Sequence, residues 1–342
     1  MKFNTISLAI AGMIATTTAF ALDSKEPPKA EPKMQKVLDA LASLGGKPIE
    51  TLTPEEARKQ PTATDATMKV MKDEGKAPPK DGVTMKQMSI DGPAGKIPLY
   101  VYTPPGSGPF PVVVYFHGGG FVIADTKTYE SSVKAIAAGS KAVVVSVEYH
   151  QAPEHKFPAA PNDAFAAYQW VLGHAKEING DASRVAVAGE SAGGNLATVV
   201  SLMARDKQVK LPVHQLLIYP VVGDDMNTPS YQRNANAKPL NKPMMQWFFK
   251  HYGADPKSPY ALPGKAASLK GLPPATVITA EIDPLNSEGA MYAERLKKDG
   301  VKVDYRQFDG VTHEFFGMGA VVPKAMDAQN FANEGLKKAF AK

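Results

Sequence analysis

The sequence of 342 residues contains no cysteine. Disulfides, thiol nucleophiles, iron–sulfur clusters and cysteine-based zinc sites are therefore all excluded. Such a chain must hold itself together by packing, and 342 residues with 44% apolar content suffice for that. A large excess of one charge sign is also missing. The formal net charge is +5, and no cluster of Lys and Arg is interleaved with aromatics, so nucleic-acid binding has little support. Long apolar runs are missing too. Ile6 to Ala15 falls short of the roughly 20 residues that cross a bilayer. With Lys2 before it and Ala19-Phe20-Ala21 after it, this run reads as a cleavable export leader spanning residues 1–21. The mature chain is expected in the periplasm or outside the cell, with no stable membrane insertion.

What is present divides the rest of the chain in two. Asp23 to Lys33 is charged and proline-rich, a flexible lead-in. Met34, Val37, Leu38, Leu41 and Leu44 recur at helical spacing, and Gly45-Gly46 closes that helix. Thr53-Pro54-Glu55-Glu56 starts another, with Thr53 as N-cap and Glu56 completing a capping box. Val70 to Pro79 is expected to lead out of this small helical unit. Thereafter strands are expected at 85–90, 97–103, 112–116, 142–147, 184–188, 213–218, 275–280 and 303–308. Helices are expected between them at 128–138, 160–174, 192–206, 287–299 and 323–341. The run from Val112 to Phe116 does not alternate with polar residues, so it reads as a strand covered on both faces. The pattern predicts a doubly wound α/β fold: an eight-stranded, mostly parallel sheet flanked by helices. A long insertion between Tyr219 and Ala275 breaks the rhythm and reads as a helical lid. There are no internal repeats.

Chemistry concentrates in three places. Gly189-Glu190-Ser191-Ala192-Gly193 follows the apolar run ending at Ala188 and precedes a helix. That is the pattern of a nucleophile elbow, which presents a serine hydroxyl clear of its backbone. A serine needs a base, and the base needs an orienting acid. Of the seven histidines, His313 sits on a loop just after the last strand. Asp283 lies on the loop after the preceding strand. Asp309 and Glu314 are rival acids, but they are too close to His313 in sequence to reach the ring nitrogen that faces away from the serine. Finally, His117-Gly118-Gly119-Gly120-Phe121 follows Val112–Phe116. The amides of Gly119 and Gly120, with that of Ala192, are candidates for an oxyanion hole. His150, His155 and nearby glutamates have no metal-site spacing, so no metal is expected.

These segments resemble the hormone-sensitive-lipase-like bacterial carboxylesterases (family IV) of the α/β-hydrolase superfamily. The matching stretches are HGGGF at 117–121, GESAGGN at 189–195, DPL at 283–285 and GVTHEFFGM at 310–318, with a similar N-terminal segment at 38–58. The resemblance implies a triad of Ser191, Asp283 and His313 in the α/β-hydrolase chain order, with Gly119 and Gly120 holding the oxyanion. It implies a cap over the pocket, built from residues 22–84 and an insertion at about 223–262 within a catalytic domain spanning 85–342. It also implies an apolar acyl site, for which Phe121, Trp247, Phe248, Phe316 and Met318 are candidates; each of these is as readily a core residue. Two departures stand out: Glu190 where the family has Asp, and His150 where the loop 148–154 has Arg. The second leaves a supporting ion pair of that loop without its arginine.

The expected function is a cofactor-free serine carboxylesterase acting on short- to medium-chain esters through an acyl-enzyme. The alternatives are an amidase, peptidase or lactone hydrolase with the same triad, or a silent hydrolase fold used for binding. A homodimer paired through the last strand is among the arrangements that the resemblance allows.

Overall fold

The computed structural model describes residues 27–77 and 79–341. The expected leader, residues 1–21, lies outside the described residues. All eight expected strands form: β1 (Thr84–Gly92), β2 (Gly95–Thr103), β3 (Phe110–Phe116), β4 (Val143–Val147), β5 (Gly180–Glu190), β6 (Gln215–Ile218), β7 (Ala275–Ile282) and β8 (Val303–Thr312). They make one sheet in the order β1-β2-β4-β3-β5-β6-β7-β8. β1 with β2, and β2 with β4, are antiparallel. Every later pairing is parallel. The helices are α1 (Pro32–Ser43), α2 (Pro54–Ala57), α3 (Ala63–Asp73), α4 (Glu130–Ser140), α5 (Ala159–His174), α6 (Ala192–Asp206), α7 (Pro229–Arg233), α8 (Lys242–Tyr252), α9 (Asn286–Lys298) and α10 (Pro323–Phe340).

The unalternating apolar runs are explained by helices on both faces. Successive side chains of a strand point to opposite faces, and here both faces are dry. Val112, Val114, Val185 and Val187 join a core with Leu196 and Val200 of α6, Ala164 and Tyr168 of α5, and Leu296 of α9. Val113, Tyr115, Val144, Ala186 and Ala188 face a second core with Val133 and Ile136 of α4 and Ala328 and Leu336 of α10. Met34 and Val37 of α1 and Val70 of α3 belong to that second core, so the N-terminal helices are docked rather than loose.

The N-terminal unit differs from expectation in one respect. α2 is only four residues long, and a further helix, α3, runs through Val70 to Asp73, where a lead-out was expected. The signal was a second capping box. Thr62 accepts from the Asp65 amide while Asp65 accepts from the Thr62 amide, with Asp in place of the usual Glu or Gln. The insertion after β6 holds α7 and α8; Thr228 caps the first and Asn241 the second. Among the described residues no helix is long and apolar enough to cross a membrane.

Candidate active site

β5 runs straight into Ser191, whose backbone sits at φ 57°, ψ −118°. A non-glycine residue rarely adopts positive φ, and such strain clusters at functional sites. The turn is tight enough to dictate its flanks. A Cβ on Gly189 would strike the Gly193 carbonyl, and one on Gly193 would strike the Phe116 carbonyl. Hydrogen bonds then fix the elbow. The Ser191 amide donates to the Ile218 carbonyl at 2.9 Å, and its own carbonyl accepts from the amides of Asn195 and Val221. Ala192 is fully buried as the first residue of α6, where an amide has no intrahelical acceptor.

The last two parallel strands bring Asp283 to His313. Asp283 Oδ2 lies 2.7 Å from His313 Nδ1, and both side chains are buried. The other Asp283 oxygen accepts from the Leu285 amide at 2.8 Å. Burial alone would push the His313 imidazolium down; the carboxylate of Asp283 against it, with Glu314 and Glu190 nearby, reverses this and raises its pKa above the usual histidine value. Of the rival acids, Asp309 accepts from Gln307 on the surface. Glu314 lies on the Nε2 side of the ring, with its Oε1 at 3.9 Å. Neither competes for Nδ1.

After β3 the chain turns at Gly119 and Gly120, both at positive φ. The Gly119 carbonyl accepts from the amides of Val122 and Ile123, which closes the turn. A Cβ on Gly119 would strike the Ile123 carbonyl, and one on Gly120 the Phe248 ring. His117 is buried, stacked on Tyr149 with ring centroids 4.4 Å apart. Tyr149 in turn donates to the His117 carbonyl at 2.9 Å. Desolvation lowers the His117 pKa, despite Glu148 nearby. This histidine shapes the loop and is placed to support it rather than to move protons at the serine.

Glu190 is buried beneath the elbow, accepting from Tyr115 at 2.6 Å and from Tyr219. Burial holds its carboxyl up at about 7. The longer side chain thus has two phenols to receive it. At the second family departure, His150 Nδ1 sits 2.6 Å from the buried Asp163 carboxylate.

Ser191, His313, Gly119 and Gly120 line one cavity of about 510 Å³. Its roof is Leu38 and Leu41 of α1, Pro48 and Ile49, and, from the insertion, Leu240, Met244 and Phe248. Of the five expected acyl-site residues, Phe248 lines this cavity and the other four do not. Phe121 stacks on Tyr252 at 3.9 Å, tying α8 to the glycine turn. Trp247 turns to the N-terminal segment and donates to the Leu52 carbonyl. Phe316 and Met318 are buried in the core between α4 and α10. The reason is local: the chain leaves His313 through a left-handed Glu314 into a short 3₁₀ turn, which drives the following side chains inward.

Sequence reasoning missed three supports. Arg58 donates to the carbonyls of Val122 and Ala152, each at 2.8 Å, and pairs with Glu154. It therefore fastens the N-terminal unit to the segment after the glycine turn. Asn234, from the insertion, donates to the carbonyls of Glu281 and Asp283, and Ser230 donates to that of Pro284 at 2.6 Å. The insertion therefore anchors the acid loop as well as roofing the cavity. Glu314, set aside as a rival acid, is a cavity-wall residue. No local motif marked Arg58, Ser230 or Asn234, because each acts across a long chain separation.

A family model described as the α/β-hydrolase fold matches residues 113–317. Esterase LipI of Mycobacterium tuberculosis is 37% identical over 313 residues, covering 89% of this chain and 93% of that protein. The chain is a hormone-sensitive-lipase-like member of the α/β-hydrolase family. Carboxylesterase NlhH of the same organism is 42% identical, covering 71% of this chain and 79% of its own. Among solved structures, a thermostable esterase from Pseudomonas putida superposes with a TM-score of 0.83 at 38% identity, covering 92% of this chain and 98% of that one. An esterase from Pyrobaculum calidifontis gives 0.80 at 36% identity, covering 90% and 98%.

Proposed function

We propose that this protein is a serine carboxylesterase in which Ser191 is the nucleophile, His313 the base and Asp283 the orienting acid. The observation that carries this reading is the 2.7 Å contact of His313 Nδ1 with Asp283, on a ring that lines the same cavity as Ser191. The ring's Nε2 takes the Ser191 proton as Oγ attacks the ester carbonyl. The buried Asp283 carboxylate stabilises the imidazolium so formed. The amides of Gly119, Gly120 and Ala192 receive the oxyanion. Nε2 then protonates the leaving alcohol, and water releases the acid by the same steps in reverse order. No cofactor enters this scheme. The esterase and carboxylesterase relatives support ester over amide chemistry.

Residues 22–84 and the insertion at about 223–262 act in this reading as a cap over the acyl site. Phe248 and the aliphatic residues of α1 and α8 form the apolar wall, and the family resemblance favours short to medium acyl chains there. Export to the periplasm or beyond, suggested by the leader-like pattern of residues 1–21, belongs to the same proposal. So does pairing of two chains through β8, which ends the sheet.

The test is kinetic. A series of p-nitrophenyl esters should give its highest kcat/KM at short to medium chain lengths, and the matching p-nitroanilides should be turned over far more slowly. A phosphonate ester should label Ser191 stoichiometrically and abolish turnover. Turnover that persists after complete labelling overturns the assignment.

A further inference from the structure

Glu314 occupies a place that the triad does not account for. Its backbone is left-handed at φ 69°, a conformation that costs a glutamate strain. Its side chain lines the cavity beside Ser191 and His313. Its Oε1 accepts a 2.6 Å hydrogen bond from Tyr129, which fixes the carboxylate. That same oxygen lies 3.9 Å from Nε2, the nitrogen that faces the reaction. The separation is too long for a direct hydrogen bond and suits one bridging water. A water about 2.8 Å from each atom would subtend roughly 90° at its oxygen, near the angle between its own two O–H bonds.

We propose that Glu314 is a water-positioning residue for deacylation, and that it biases the acyl-enzyme towards water over alcohols as acyl acceptor. This rests on the serine-esterase reading above. The attacking water gives one O–H to Nε2 and the other to Glu314, which leaves a lone pair for the acyl carbon. The new C–O bond forms as the first proton passes to Nε2. The intermediate then collapses, the bond from carbon to Ser191 Oγ breaks, and Nε2 returns that proton to Oγ. The second proton stays on the acid product, and Glu314 accepts a hydrogen bond without taking a proton. An alcohol has one O–H. It can satisfy Nε2 or Glu314 but not both, so its transfer to the acyl group gains nothing from the carboxylate.

The experiment measures product partition. The full-length protein turns over p-nitrophenyl butyrate at a fixed methanol concentration, with nitrophenol giving total turnover and butyric acid and methyl butyrate quantified separately. Glu314→Ala should raise the ratio of methyl ester to acid about ten-fold, the size of one lost hydrogen bond to the nucleophile. Glu314→Gln, which keeps a neutral acceptor, should raise it less. Tyr129→Phe, which frees the carboxylate, should also raise it less. Misfolded molecules make neither product, so partial unfolding does not alter the ratio. A ratio in Glu314→Ala that is unchanged or lower, with nitrophenol still released, overturns the water role alone. Wild-type protein that releases no nitrophenol and takes no phosphonate overturns the esterase reading as well.

Discussion

The two sides of the cavity are built differently. The floor comes from strand ends: Ser191 after β5, Asp283 after β7, His313 after β8 and the glycine turn after β3. Each is held by its own strand's register and by short backbone hydrogen bonds. The roof comes from α1, the segment around Ile49, and α8 of the insertion, regions far apart in sequence that are brought together by tertiary contacts. Trp247 to Leu52, Phe121 against Tyr252, and Arg58 to Val122 and Ala152 are its fastenings. A floor defined by backbone geometry leaves almost no choice of residue. A roof defined by packing leaves a wide choice.

That contrast can be broken at several points. The largest effect is expected for Ser191→Ala, which should lower kcat about 10⁶-fold with the melting temperature little changed, because triad members act as a unit. Asp283→Asn keeps the shape but supports the wrong histidine tautomer, and kcat should fall about 10⁴-fold. In the wild-type enzyme the base must be neutral, and its raised pKa puts the acid limb of kcat/KM above the ordinary histidine value of 6.5, with activity rising through it as pH increases. A limb at or below that value would contradict the buried Asp283 pairing. Gly119→Ala places a methyl against the Ile123 carbonyl; the turn must shift, and kcat should fall about 10²–10³-fold, as for loss of one oxyanion donor.

The roof should respond more weakly and in a different quantity. Arg58→Ala should leave kcat on a short ester nearly unchanged while raising KM. Its side chain is part-exposed, so the stability loss should be about 1 kcal/mol, a shift in melting temperature of roughly 1–2 °C. Arg58 lowers the Glu154 pKa from 4.5 to about 2. A depressed carboxylate contributes stability that is full above its unfolded pKa and fades as pH falls through the folded one. The wild-type advantage over Arg58→Ala should therefore shrink between about pH 4.5 and pH 2, which thermal melts at several pH values would reveal. A kcat loss as large as that of Gly119→Ala would erase the distinction between floor and roof.

The floor was legible because its chemistry demands residue types at fixed distances. Gly189 and Gly193 follow from the tightness of the elbow, and Asp283 and His313 follow from the ends of consecutive parallel strands. The eight strands were legible because runs such as Val112 to Phe116 admit few alternatives. The roof was not. Phe316 and Met318 look like pocket residues beside His313, yet a left-handed Glu314 turns them into the core. The α3 helix was missed because Asp65 completes its capping box in place of the more familiar Glu.

By itself the sequence determined the sheet, the elbow, the chain order of Ser191, Asp283 and His313, and the family, since each depends on local periodicity, backbone sterics or short motifs. Only the tertiary structure decided which aromatics face the cavity, how the insertion grips the loop at Asp283, and that Glu314 stands beside Nε2 of His313. Those depend on where loops distant in sequence come to rest against one another. Nothing in a linear pattern encodes that until the core has packed.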